Sequence, residues 1–139
     1  MTVHTATLEL STRGNAQVVD ITDRVREILA KSGLSDGIGC VFVPGATGSI
    51  TTIEYEPGCV ADLQRLLDEL APPNREYEHE KRWGDGNGHS HLRAALLGPS
   101  LAFPFADREP MLGTWQQIVF VDFDNRARSR RLIVQLVGA

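Results

Sequence analysis

A chain of 139 residues with 42% hydrophobic and 23% charged content has the size and balance of one globular domain, which excludes disorder as the default. Its net charge of −4, with both signs interspersed, argues against a nucleic-acid protein held by phosphate neutralisation, and no apolar run approaches a membrane span. Cys40 and Cys59 lack CxxC spacing and MTVHTATLEL lacks the regions of a signal peptide, so two separate thiols in a cytoplasmic protein are expected.

The first ten residues alternate, with His4, Ala6, Leu8 and Leu10 on one parity, and predict a strand whose even residues face inward. STRGN at 11–15 reads as a turn. Thr22 as N-cap, Val25, Ile28 and Leu29 at helical spacing and Gly33 as a stop predict a short amphipathic helix. GIGCVFVP at 37–44 and SITTIEYE from residue 49 read as strands joined by the GATG turn, so the spacing predicts a hairpin over 38–55. Val60, Leu63, Leu66, Leu67 and Leu70 mark a second helix, ended by Pro72-Pro73. From 74 to about 92 the chain is polar and irregular, and a loop of that length in a compact domain usually has a function or is disordered. HLRAALLG predicts a short helix, and LAFPF, GTWQQIVFVDFD and SRRLIVQLV predict three closing strands. The order is that of a single α+β domain spanning 1–139, a largely antiparallel sheet packed with two to three helices.

Four constellations carry chemistry. His89 and His91, at i and i+2 on an extended segment, point to one side. With His79 they form a three-imidazole set for a divalent metal, which Asp85 or Glu54 completes or orients. The alternative is a solvated turn with hydrogen-bonded surface histidines. The glycine-rich GDGNG lacks a nucleotide fingerprint, but Gly86, Asn87 and Gly88 can turn backbone N–H groups toward an anion or form a simple turn. Trp115 and Gln116 stand at the head of a strand, where the tryptophan walls a pocket or fills the end of the core. Arg128 and Arg130 share parity after a turn at Asp124 and Asn125, the spacing of a phosphate clamp or of a salt-paired hairpin. Glu54 is a base or supporting carboxylate in a β-rich run, and no serine or threonine has the partners of a nucleophile.

Taken together, DIT at 20–22, VFVP with the Thr-rich strand carrying Glu54, YEH at 77–79, NGHSHLRAALLGPS at 87–100 and LGTWQQIVFVDFDNRARSRR at 112–131 resemble the YjbQ-like family, also called secondary thiamine-phosphate synthase-like proteins. The likeness runs over nearly the whole chain. It implies a homotrimer of α+β subunits with a metal or anion site around His79, His89 and His91, the metal being zinc or magnesium. It also matches Glu54, Trp115-Gln116, Arg128 and Arg130 to the family's glutamate, LGTWQ block and closing arginines. Gly45 departs from it, standing where the family commonly has the histidine of HTTA. The implied activity joins a pyrimidine diphosphate to a thiazole phosphate, with Glu54, His79, Arg128 and Arg130 as catalytic candidates. The other readings are a metal-binding oligomer with a different, hydrolytic or no activity, and a module for a small phosphorylated or anionic molecule. None involves nucleic acid or a membrane.

Overall fold

The run IVFV at 118–121 has no polar parity, the pattern of a strand buried on both faces. The computed structural model, which describes residues 1–139, places this strand, β7 (Gln117–Asp122), at the centre of a three-stranded antiparallel sheet. Its neighbours are β2 (Gln17–Asp20) and β4 (Gly48–Ile53). Ile118 and Phe120 enter one core with Leu8, Val25, Leu29, Val41, Phe103 and Leu132. Val119 and Val121 enter a second with Val18, Leu67, Ala94 and Phe123. Each such fully buried side chain stabilises the fold by about 1.5–3 kcal/mol.

The first core lies against a five-stranded antiparallel sheet of order β1 (Thr2–Thr12), β8 (Arg128–Gly138), β3 (Gly37–Phe42), β5 (Ser100–Ala106) and β6 (Glu109–Pro110). Helix α1 (Thr22–Ser32) packs against it through Val25 and Leu29. The second core lies under α2 (Pro57–Leu70) and α4 (Gly88–Leu97), with the short α3 (Glu78–Trp83) beside α4. This is a single α+β domain with four helices.

Four local expectations need correction. β3 and β4 form no hairpin: β3 is paired on both edges, by β5 and β8, whereas β4 pairs with β7 in the other sheet. Alternation identifies a strand but not its neighbour. The helix over 22–32 is held by Asp20, whose carboxylate accepts from Thr22 N (3.0 Å) and Oγ1 (2.6 Å). The stretch 74–92 is largely helical, because Glu80 Oε1 accepts the Gly88 N–H at 2.5 Å and Asp85 Oδ1 accepts the Asn87 N–H at 3.0 Å. Finally, the strand after LGTW begins only at Gln117. The two cysteines are free. No helix is long and apolar enough to cross a membrane.

Candidate functional site

The helical start of α4 decides which histidines meet. Residues two apart on a helix point about 200° apart, whereas on an extended segment they would share a side. His91 therefore faces the turn at Ala46, and His89 turns inward to 4% exposure. The expected trio of His79, His89 and His91 does not assemble. The group that does is His79, Asp85 and His91, whose ligand atoms all lie within 4.8 Å of one another.

Geometry fixes much of its chemistry. His91 Nδ1 lies 2.9 Å from the Ala46 carbonyl oxygen, which can only accept, so the proton sits on Nδ1 and the Nε2 lone pair is left for a ligand. His79 Nε2 lies 3.1 Å from Asp85 Oδ1, and the two imidazoles meet edge to face, with centroids 4.5 Å apart. The Asn87 N–H holds the Asp85 carboxyl below the usual carboxylate range against the opposing effect of burial, with lesser help from His79 and His91. His79 and His91 border a cavity of about 500 Å³ whose other walls are small: Gly45, Ala46, Gly48, Ala94, Ala95 and Pro99.

The remaining predicted residues lie elsewhere or are engaged. Glu54 is exposed beyond the far end of β4, about 20 Å along the strand from Gly48, and makes no hydrogen bond through its side chain. Trp115 is 72% exposed and neither walls the cavity nor fills the core. Gln116 closes its own loop, accepting from Gly113 N and donating to Thr52 Oγ1. The anion cradle expected from Gly86, Asn87 and Gly88 is also corrected. The N–H groups of Asn87 and Gly88 already serve Asp85 and Glu80, and the Asn87 side chain donates to Asp124 and accepts from Ser90 and Asn125.

Arg128 and Arg130 do not form a free clamp, because each faces a fully buried carboxylate. Arg130 gives Nε (2.7 Å) and Nη2 (2.8 Å) to Asp122, and Nη2 also reaches Thr47 Oγ1 at 2.8 Å. Arg128 Nε and Nη2 meet Asp124 at 3.0 and 2.9 Å. Thr12 donates to Asp122, and Thr47 donates to Asp124. Burial alone would raise the Asp124 carboxyl, but hydrogen bonds from Arg128, Asn87 and Thr47 outweigh it and hold it below its ordinary value. Sequence reading placed Asp124 in a turn and passed over Asp122. The signal was two acids, at 122 and 124, followed by two same-parity arginines, at 128 and 130.

Residues 6–139 match the family described as UPF0047 protein YjbQ-like. A UPF0047 protein of Archaeoglobus fulgidus is 35% identical over 128 residues, 92% of this chain and 97% of the relative. One from Mycobacterium tuberculosis is 41% identical over 118 residues, 84% and 86% of the two chains. The crystal structure of a YbjQ-like protein of unknown function from Sulfolobus solfataricus superposes with a TM-score of 0.90 at 31% identity, covering 99% of this chain and 100% of the other. A hypothetical protein from Aeropyrum pernix gives 0.91 at 32% identity over 98% and 99%. With sequence and fold agreeing end to end, this chain belongs to the YjbQ-like UPF0047 family.

Proposed function

We propose that the chain binds a divalent metal through His79, Asp85 and His91 and acts with it on a small phosphorylated molecule held in the adjoining cavity. The observation that carries this reading is the convergence of the three ligand atoms within 4.8 Å at the cavity wall. The donor set fits a metal: two imidazoles and a carboxylate favour zinc, manganese or iron over magnesium, which prefers oxygen. When bound, the metal would polarise a phosphoryl oxygen or a water. The chain's own residues do the rest. Ala46 fixes the His91 tautomer, Asn87 keeps Asp85 charged, and the small glycine and alanine walls leave room for a flat ring against them.

Elemental analysis of protein purified without added chelator tests the metal. About one equivalent per chain is expected, falling below about a tenth in a His79→Ala/His91→Ala variant. An unchanged content in the variant would overturn the assignment.

Within this reading, the coupling of a pyrimidine diphosphate to a thiazole phosphate is the specific reaction we propose. A cavity of about 500 Å³ with smooth small walls has room for one such ring. Metal-loaded protein given both substrates is expected to release thiamine phosphate and pyrophosphate. Hydrolysis of a phosphate ester without coupling would instead support the second reading, a hydrolase, which the imidazole-rich donor set favours.

The assembly we propose is a homotrimer. The solvent face of the five-stranded sheet leaves Val3 59% and Ile38 60% exposed beside Phe42, an apolar surface that a second copy would cover. The number three comes from the family resemblance. Light scattering on the eluting protein tests it, with a mass of three chains expected and a monomer excluding it.

A further inference from the structure

Three of the five N–H donors of the Arg130 guanidinium, that of Nε and the two of Nη2, go to Asp122 and Thr47, and the side chain is 10% exposed. Its Nη1 makes no hydrogen bond within the chain. That nitrogen would lie 3.5 Å from a Cβ at Gly45, the residue at which the turn meets the cavity bordered by His79 and His91. Neither of the usual reasons for a glycine applies at this position. Its φ is not positive, and a Cβ there would make only an ordinary contact, with Nη1 itself. Arg130 is not itself a wall of the cavity, but its Nη1 is the only atom within 4 Å of that Cβ position, so the missing side chain leaves a notch beside the cavity with Nη1 at its floor.

We infer that Gly45 and Arg130 Nη1 form an anion subsite of this cavity, which receives a phosphate group of the ligand. The inference rests on reading the cavity as a ligand site, and it adds where the ligand's charge lies and which residue sets its size. Charge supports it. Arg128 and Arg130 balance the buried Asp124 and Asp122, and no carboxylate lines the cavity beside Gly45 to repel an anion. Guanidinium nitrogens are strong donors to phosphate, and one already fixed by a buried carboxylate loses little freedom on binding. The walls at Ala94, Ala95 and Pro99 then contact the uncharged body of the ligand, and its second polar end reaches His79 and His91.

Gly45→Leu is the direct test, because it fills the notch against Nη1 while leaving the Nε and Nη2 bonds to Asp122 in place, and it demands no unusual backbone. Inorganic phosphate and pyrophosphate serve as probes in calorimetric titrations of zinc-loaded and of metal-free protein. Gly45→Leu is expected to keep the wild-type melting temperature and zinc content and to bind the probes about tenfold more weakly, the size of one charge-assisted hydrogen bond. Gly45→Ala is expected to change binding by less than about threefold. The metal-free arm separates the two claims. If the protein takes up no zinc but Gly45→Leu still weakens pyrophosphate binding, the subsite stands and the metal assignment falls. Equal probe affinities in wild type and Gly45→Leu, or no probe binding by the wild type in either arm, would overturn the subsite.

Discussion

Two polar clusters meet at the turn 45–47, and they are built from similar parts to opposite ends. On one side Thr47 Oγ1 joins Asp122, Asp124, Arg128 and Arg130, where both carboxylates are fully buried and each meets a guanidinium and at least one further donor. On the other side the Ala46 carbonyl holds His91 beside His79 and Asp85, where every residue keeps solvent contact and the group is organised by that bond, the Asn87 N–H on Asp85, the His79–Asp85 contact and the histidines' edge-to-face packing. Saturation distinguishes structure from site. A buried carboxylate whose bonds are all made has nothing left to offer a ligand, and removing it leaves its guanidinium partner uncompensated. An exposed cluster with a fixed tautomer and an open lone pair costs little to keep and is free to bind.

The largest expected effect falls on the saturated side. Asp122→Asn leaves the Arg130 guanidinium without its countercharge and replaces one of its two acceptor oxygens with an amide donor, and should destabilise by about 3–5 kcal/mol, read as a lowered urea midpoint. A loss below about 1 kcal/mol would mean that this block contributes no more than an exposed ion pair. The contrast then requires the reverse behaviour at the histidines. His91→Ala should weaken metal binding by about a hundredfold or more, yet in the presence of chelator shift stability by no more than about 0.5 kcal/mol. Comparable destabilisation by the two variants would erase the distinction.

Much of the scaffold was legible in the sequence because its signals are local. The alternation through Leu8, the stripe from Val60 to Leu70 and the Gly33 stop all specify elements that the structure contains. The double-sided run of β7 also follows from its residues, once both parities are seen to be apolar. The site was less legible, because its geometry is set by contacts across the chain. Glu80 lies eight residues before the Gly88 N–H that it holds, and Ser90 Oγ donates to the Phe123 carbonyl, so glycine-rich sequence that predicts a loop instead starts a helix. That change of period turned His89 away from His91 and brought Asp85 in. Asp122 was illegible for a related reason. Two acids and two same-parity arginines stand close in the sequence, but nothing local shows that Asp122 is buried or that Arg130, from the next strand, neutralises it.

His89 offers the smallest effect and the finest division between the two clusters, since it neighbours the open site in sequence but belongs to the packed interior. Burial pushes its imidazole below the ordinary value of 6.5, and the nearby Arg93 charge adds to this, against weaker opposing effects of Glu80, Gly86 and Asp68. Its Nδ1 has no well-formed hydrogen bond, and the Gly86 backbone opposes the shift too weakly to offset burial. With the folded value depressed, the unfolded chain takes up this proton first. The stability linked to His89 is therefore complete above about pH 6.5 and declines as the pH falls below it. Urea midpoints measured with chelator between pH 7 and pH 5 should fall more steeply for the wild type than for His89→Leu, which cannot titrate at this position. Parallel slopes would show that His89 is protonated as readily in the fold as outside it, and would place it with the solvent-facing histidines rather than with the core.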